Sequence, residues 1–162
     1  VAAVTSPLFA AIKNFGLLDR HLGVMIPLVA FNAPMMLLMI KNYFDTIPDE
    51  LLESARIDGA SSFCIWLEFM VPLSGPIIAN VLVLTFIYSW NDYLVPLLVM
   101  RSEENYTVTL AAQYFVSSTY QSPADVARIY AVMMLLTLPS IIVYLFSQKF
   151  LVGGITSGSV KG

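Results

Sequence analysis

Three long runs without a charged side chain constrain this chain more than any other feature. They cover residues 22–40, 69–91 and 129–148. A membrane-spanning helix needs about 20 mostly apolar residues to cross a hydrocarbon core about 30 Å thick. Because each run is close to that length, we expect three transmembrane helices. We place them at residues 22–40, 74–98 and 126–149.

The content of charged residues favours the same class of protein. Only 12% of the 162 residues are charged and 58% are hydrophobic, whereas a soluble domain carries about 25% charged residues. The predicted fold class is therefore all-α, a polytopic transmembrane helix bundle. The net charge of −3 argues against nucleic acid as a partner, since that function uses clustered Lys and Arg.

Neither a cofactor nor a catalytic or metal-binding group is expected. The single cysteine, Cys64, cannot form an internal disulfide, and the single histidine, His21, leaves no zinc site. The chain also lacks a Gly-x-x-x-x-Gly-Lys-Ser/Thr motif, so we expect no ATP binding by the chain itself. These observations predict a protein that is not an enzyme.

A charged segment at residues 46–72, which contains several residues that commonly begin or end helices, joins the first two expected spans. We predict that it forms a helix, a sharp turn and a second helix. Thr46 can act as the N-cap of the first helix, and Gly59 can take the left-handed conformation that ends it. Ser61 or Ser62 can cap the second helix.

An isoleucine among carboxylates marks one face of the first helix. At about 100° per residue, Leu51, Leu52 and Ala55 fall on an apolar stripe, whereas Ile57 falls on the charged side with Glu53. Single apolar residues are common on protein surfaces. The alternative is a contact surface for another protein, in which charges surround an apolar anchor. The pattern alone leaves both interpretations open.

Four polar side chains lie within the expected spans, namely Asn32, Asn80, Asn91 and Asp92. A polar group that faces hydrocarbon is costly, so these side chains should face protein or a wet solute path. For Asn32, a hydrogen bond between helices and a role in such a path are equally open. Asp92 lies either near the membrane interface or buried beside a partner.

The polar segment 101–121 lies on the other side of the membrane from residues 46–72, with a short helix expected at 107–116. Its aromatic side chains suit a contact surface for another protein, although they could equally pack on the chain's own spans. They are Tyr106, Tyr114, Phe115 and Tyr120. Four Lys or Arg residues fall on each side of the membrane, so the positive-inside rule does not orient the chain.

Several strings resemble the membrane subunits of ABC importers. Glu53-Ser54-Ala55, Asp58-Gly59-Ala60 and Pro72-Leu73 resemble their EAA loop, with Ser54 and Val71 as the two departures. Three further strings resemble the second permease of maltose-type carbohydrate importers. They are Ala30-Phe31-Asn32-Ala33-Pro34, the segment 89–97 with Trp90-Asn91-Asp92-Tyr93, and the segment 150–162.

The resemblance implies a subunit of the bacterial plasma (inner) membrane that forms half of a sugar path. It implies a heterodimer with a second permease, two cytoplasmic ABC ATPase subunits, an extracytoplasmic solute-binding protein and contact with membrane lipid. Residues 46–72 would be the cytoplasmic coupling loop and residues 101–121 would lie outside. The coupling residues would be Glu53, Ala55, Ile57, Asp58 and Gly59.

The same resemblance bears on domain organisation. The family has six spans, so residues 1–162 are expected to be one transmembrane domain that lacks its N-terminal part. The competing function is a secondary transporter or channel that uses Asn32 and Asp92 for ion coupling. A structural membrane subunit is a third possibility.

Overall fold

The structure, a computed structural model, describes residues 2–119 and 125–156, with side chains for 4–119 and 125–148. This part of the chain is helical and contains no β-strand, in agreement with the predicted all-α class. A π-helical turn covers Trp66–Met70 and a 3₁₀ turn covers Glu103–Asn105. The α-helices are α1 (Ala2–Asn14), α2 (His21–Phe44), α3 (Asp49–Ile57), α4 (Ser62–Ile65), α5 (Val71–Leu73), α6 (Gly75–Asn91), α7 (Leu94–Val99), α8 (Val108–Thr119) and α9 (Val126–Thr156).

Two of the described helices are long and apolar enough to cross a membrane, at His21–Phe44 and Val126–Gln148. The predicted ranges 22–40 and 126–149 lie within α2 and α9. Apolar side chains such as Leu37 and Phe146 are 64% and 76% exposed on these helices. A helix that is apolar on its outer surface is typical of a membrane span.

The third expected span, residues 74–98, is not one continuous helix. The structure divides it between α6 and α7, with a break at Asp92 and Tyr93. Pro96 has no N–H to donate to the Asp92 carbonyl, which prevents the ladder of helical hydrogen bonds from continuing. The side chain of Asp92 instead accepts a hydrogen bond from the Val95 N–H at 3.2 Å and begins a new helix.

A second bend precedes α6. The segments Ser62–Leu73 and Gly75–Asn91 meet at 62°, and together they are long and apolar enough to count as one broken span or a re-entrant loop. Residues 62–91 therefore consist of bent pieces, whereas α2 and α9 are long helices.

The contacts divide the chain into two units. The first comprises Val1–Asn32 with Phe86–Ile142, and the second comprises Ala33–Thr85 with Val143–Gly162. Within the first unit, side chains from α1, α2, α7 and α8 form a buried apolar cluster. Its members are Ile12, Val24, Val95, Val99, Met100 and Leu110.

A carboxylate joins two loops of the first unit. Asp19 has a φ of +56°, a conformation that Asp tolerates better than most residues. Its side chain accepts hydrogen bonds from the backbone N–H groups of Arg101 and Ser102 at 2.9 and 3.0 Å, and from the Ser102 hydroxyl. Its own N–H donates to the Val99 carbonyl, and its carbonyl accepts from Asn105. These bonds fasten the loop before α2 to the loop after α7.

We predict that the Asp19 bonds make stability fall with acidification. The Ser102 hydroxyl, followed by the backbone N–H groups of Ser102 and Arg101, holds the pKa of the Asp19 carboxyl well below its ordinary value. A group whose pKa is lower in the folded state stabilises the fold above its unfolded pKa of about 3.9 and loses that contribution below it. Thermal unfolding in nanodiscs should therefore show a loss of stability below about pH 4 that Asp19→Asn removes.

Asn is the appropriate replacement because it also tolerates positive φ. The matched control is Asp45→Asn, which removes an exposed ion pair with Lys41 at 2.6 Å. Exposed pairs contribute little, so the control should keep the acid-dependent loss. If Asp19→Asn loses stability below pH 4 as the unmodified protein does, this explanation is wrong.

Gly23 allows a close approach between α2 and its surroundings. A Cβ at this position would collide with the Leu17 carbonyl oxygen and would lie 2.9 Å from Val99 Cγ1. The first atom is backbone, so it cannot move aside without shifting the loop. Glycine at this position therefore lets the start of α2 reach the buried cluster.

We predict that Gly23→Ala lowers the melting temperature of the protein in nanodiscs, because an overpacked site commonly costs about 1–3 kcal/mol. Gly75→Ala is the control, since a Cβ at Gly75, in the first turn of α6, would meet nothing within 4 Å. Alanine is favoured over glycine in a helix, so Gly75→Ala should leave the melting temperature unchanged or raise it. Equal melting temperatures for the two variants would contradict the close contact at Gly23.

Candidate functional site

The first candidate site is the helix–turn–helix segment, which we define as residues 49–73 of the second unit. α3 begins with Asp49 and Glu50 in its first turn and carries Arg56 in its last turn, charges that complement the helix dipole. The prediction that Thr46 is the N-cap of α3 is wrong. The Thr46 hydroxyl donates to the Tyr43 carbonyl at 2.7 Å and so belongs to the end of α2, which is longer than the sequence predicted.

Pro48 takes the N-cap position instead, with φ −62° and ψ 133° and without a side-chain cap. The ring of proline fixes φ near this value, so the residue enters the helix at little conformational cost. The entry to α3 is therefore set by backbone geometry.

Backbone hydrogen bonds close the turn after α3. Gly59 has a φ of +85°. Its N–H donates to the Arg56 carbonyl, and the Ala60 N–H donates to the Ala55 carbonyl, each at 3.0 Å. These two bonds are those of a Schellman motif, which requires a left-handed residue at the position of Gly59. The turn is held by these groups rather than by the Asp58 carboxylate.

The second half of the segment begins with a side-chain cap. Ser61 Oγ accepts a hydrogen bond from the Cys64 N–H at 3.2 Å, as one of the two expected serines should. The helix then widens into the π-helical turn, where the Val71 N–H reaches back to the Trp66 carbonyl. The wider turn accommodates Pro72, which would otherwise collide with the carbonyl four residues earlier.

A hydrogen bond within the second unit fixes the end of this segment. The hydroxyl of Tyr43, near the end of α2, donates to the Leu73 carbonyl at 2.7 Å. That carbonyl lies at the bend before α6, where helical partners are lost. The long helix α2 and the end of the helix–turn–helix segment are thus connected directly.

The proposed coupling residues divide between an inner and an outer face. Ala55 is 5% exposed, whereas Ile57 is 86% exposed. Glu53 lies one turn before Ile57, is exposed, and makes no ion pair with any side chain at 4–119 or 125–148. An exposed isoleucine beside an unpaired carboxylate is available to another molecule.

The second candidate site is a cavity of about 430 Å³ in the first unit, which we name the polar pocket. Apolar side chains form most of its wall, and Asn32, Asp92 and Tyr88 supply its polar groups. Its lining residues are Val4, Leu28, Phe31, Asn32, Tyr88, Asp92, Leu94 and Val95. They come from α1, α2, α6 and α7, and the break at Asp92 contributes directly to the wall.

Local hydrogen bonds orient the two strongest polar groups of the polar pocket. Asn32 Nδ2 donates to the Leu28 carbonyl at 2.8 Å, a bond within α2 rather than the bond between helices that was one expectation. Asp92 caps α7 through one carboxylate oxygen. A carboxylate has about four acceptor positions and an amide oxygen has two, so both groups retain capacity to bind hydroxyl groups.

The other two predicted path residues do not line the polar pocket. Asn91 is exposed, and its Nδ2 donates to the Ile87 carbonyl at 2.8 Å within α6. Asn80, in the second unit, is 6% exposed, and its Oδ1 has no hydrogen-bond partner among the described residues. Of the four residues, the structure brings only Asn32 and Asp92 together.

Sequence reasoning missed several residues that shape these sites. Phe31 and Tyr88 line the polar pocket, and Asp19 fastens the loop after α7. Phe31 is adjacent to Asn32 in the sequence, so the sequence could have indicated that Phe31 lies near the pocket. The roles of Tyr88 and Asp19 depend on contacts between distant parts of the chain, which only the structure shows. No group of three His, Cys, Asp or Glu side chains in residues 4–119 and 125–148 is arranged to hold a metal ion.

Residues 101–119 of the predicted outer segment form a 3₁₀ turn and a helix. The expected helix at 107–116 is α8, which begins one residue later and extends to Thr119. Tyr106 and Tyr114 stack with ring centroids 5.0 Å apart. Tyr120 and Gln121 lie outside the described residues.

Comparison with known proteins gives a consistent set of relatives. An inner membrane ABC transporter permease, YcjP of Escherichia coli K12, is 34% identical over 157 residues. The arabinooligosaccharides transport permease AraQ of Bacillus subtilis strain 168 is 35% identical over 156 residues. The alignments cover 96% of this chain in both cases, and 55% and 54% of the relatives.

A third relative is the sn-glycerol-3-phosphate transport permease UgpE of Yersinia pestis, which is 36% identical over 149 residues. That alignment covers 92% of this chain and 52% of the relative. The chain thus spans about half the length of the curated relatives it matches. Residues 2–156 match the family model described as binding-protein-dependent transport system inner membrane component. The chain belongs to this family of inner membrane transport components.

Proposed function

We propose that this chain is a permease subunit of a carbohydrate ABC importer, which forms half of a solute path and couples it to a separate ATPase. The partners are a second permease in a heterodimer, two cytoplasmic ATPase subunits and an extracytoplasmic solute-binding protein. The observation that supports the coupling role is the exposure of Ile57. This side chain is 86% exposed, on a helix whose opposite face is buried at Ala55.

The helix–turn–helix segment has the mechanical properties that coupling needs. The Schellman bonds around Gly59 fix the angle between α3 and α4, and Tyr43 joins the end of the segment to α2. A displacement of α3 by an ATPase would therefore reach a long apolar helix through hydrogen-bonded backbone rather than through a loose loop.

Ile57 and Glu53 have complementary roles in this proposal. Ile57 enters an apolar groove of the ATPase subunit, where a central buried anchor contributes most of the binding energy. Glu53 meets a basic residue or a helix N-terminus at the rim of that groove, and such rim charges affect orientation more than affinity. Gly59 preserves the turn that presents both side chains, and the exposed Asp58 beside it is available to the ATPase subunit.

The lining of the polar pocket suits a neutral solute that carries many hydroxyl groups. Its polar groups are acceptors and donors that suit hydroxyls, and Tyr88 and Phe31 offer aromatic faces to the apolar side of a sugar ring. Its lining contains a carboxylate and no Lys, Arg or His. A phosphate ester would meet Asp92 without a compensating cation, so we favour a sugar over a sugar or glycerol phosphate.

The first prediction of this proposal concerns coupling. Ile57→Asp should weaken association with the ATPase, because losing a central anchor costs about 2 kcal/mol or more, about thirtyfold in affinity. Gly59→Val should distort the turn, since a β-branched residue resists positive φ. Both variants should insert in the membrane yet lose transport and solute-stimulated ATP hydrolysis in proteoliposomes of the complete transporter.

Two variants serve as controls for that experiment. Ile57→Leu keeps the apolar anchor and should retain transport. Gly16→Val introduces the same residue at a φ of +67°, also with no atom within 4 Å of the added Cβ, but outside the helix–turn–helix segment. If Gly16→Val uncouples as strongly as Gly59→Val, backbone strain alone explains the loss and the coupling role of the turn fails.

The second prediction concerns the polar pocket. With Cys64 replaced by Ser, a cysteine at Asn32 should react with a water-soluble thiol reagent, and its rate should change when ATP and vanadate trap the transporter. Alternating exposure of a path to the two sides of the membrane gives this dependence. Asn80→Cys, at a buried position outside the pocket, is the control and should stay unlabelled.

If Asn32→Cys reacts no faster than Asn80→Cys in every nucleotide state, the polar pocket is not part of the solute path. That result would leave the coupling role of Ile57 intact, since the two sites are tested by different measurements. The proposal that the chain transports a sugar would then need another set of lining residues.

A further inference from the structure

A second cavity, of about 390 Å³, opens beside α8 in the first unit. We name it the aromatic pocket. Its lining residues are Glu103, Tyr106, Ala111, Tyr114, Phe115 and Ser118. The members from α8 recur at steps of three and four residues, so they share one face of that helix.

The aromatic rings of this pocket are ordered and accessible. Tyr106 and Tyr114 stack with an interplanar angle of 19° and a centroid distance of 5.0 Å. Tyr114 and Phe115 are 49% and 40% exposed. Since the stack fixes two rings while leaving part of their surface open, a ligand can reach aromatic surface without first separating the rings.

The electrostatic environment of the aromatic pocket is negative. A hydrogen bond with Tyr114 and burial raise the pKa of Tyr106, and the negative charges of Glu103 and Asp19 raise it further. Glu103 makes no ion pair with the side chains at 4–119 and 125–148. Arg101, the nearest basic residue in the sequence, lies over the Phe9 ring at 5.5 Å and is not among the lining residues.

We propose that the aromatic pocket binds a cationic group of the guanidinium or alkylammonium class. Aromatic faces attract such cations through their quadrupole, and Glu103 supplies an opposite charge at the rim. A guanidinium can also stack on a tyrosine ring. An anion would meet the carboxylate of Glu103 and no basic side chain among these lining residues, which disfavours phosphate or carboxylate ligands.

The inference is independent of the solute that the polar pocket accepts. It concerns a separate cavity with different lining residues, and it can be tested without transport. Two sources offer the cationic group: a dissolved organic cation, or a Lys or Arg side chain of another protein. Both share the same chemistry, so the experiment first tests the site and then its source.

Binding can be measured by ¹⁹F NMR of the full-length protein in nanodiscs, with 3-fluorotyrosine in place of its eight tyrosines. Tyr106→Phe and Tyr114→Phe assign the two signals. Methylguanidinium chloride should shift both signals with saturation, whereas sodium chloride at equal ionic strength should not. Glu103→Gln should weaken binding about fivefold, since it removes the opposite charge but not the rings.

Glu104→Gln is the matched control, because Glu104 is the next residue of the same 3₁₀ turn, is also exposed, and does not line the pocket. It should leave methylguanidinium binding nearly unchanged. Absence of a saturable shift overturns the proposal, as does equal weakening by both variants. A saturable shift with maltose but not with methylguanidinium would also overturn it, by assigning the rings to a sugar.

A competition experiment distinguishes the two sources of the cationic group. Addition of the purified solute-binding protein should displace methylguanidinium if the cation is a side chain of that partner, and this arm alone depends on the proposed function. If the protein leaves methylguanidinium bound, a side chain of the solute-binding protein is excluded as the source of the cation. Normal transport without methylguanidinium binding would refute the cation site and leave the proposed function standing.

Discussion

Backbone hydrogen bonding is the constraint on which this structure depends. Hydrocarbon offers no partner to an unpaired N–H or carbonyl group, so a chain within a membrane must satisfy these groups itself. α2 and α9 do so by remaining helical over His21–Phe44 and Val126–Thr156. Elsewhere the helices end, and backbone bonds of a Schellman turn, a side chain or a wider helical turn replace the missing bonds at Gly59, Asp92 and Trp66–Met70.

The two functional candidates in the membrane-associated segments both lie at such breaks. Pro96 interrupts the helix after Asp92, and the carboxylate that caps the new helix also lines the polar pocket. Pro72 lies just after the π-helical turn, and the Tyr43 hydroxyl binds the Leu73 carbonyl beyond it. A break in a membrane segment therefore brings polar groups to places where a continuous helix would expose only apolar side chains.

The sequence predicted the helical class, the two long helices and the turn at Gly59 because each depends on local pattern. Run length identifies a span, and a glycine between two capped helices identifies a left-handed turn. The break in residues 74–98 was not predicted, since the presence of a proline does not by itself show that a helix is interrupted. α1 and α9 continue through Pro7 and Pro139, whereas the helix stops before Pro96, where Asp92 provides an alternative cap.

The geometry of the candidate sites was predicted in part for the same reason. The exposure of Ile57 and the left-handed conformation of Gly59 agree with the sequence pattern because both depend on one short segment. The association of Asn32 with Asp92 depends on residues 60 positions apart in the chain meeting at one cavity, which no local pattern encodes. The bonds from Arg101 and Ser102 to Asp19 are also long-range and bring together loops that each looked featureless.

Ala55 and Ile57 illustrate how little sequence distance separates a buried residue from one that is available to a partner. Two residues apart, one is 5% exposed and the other 86% exposed, because two steps of a helix rotate a side chain by about 200°. Ala55 is buried and α3 packs against α4, so Ile57 stands on a helix whose position is fixed. A flexible segment would have to be ordered on contact, which costs binding energy. The Schellman turn supplies that order in advance through two backbone bonds.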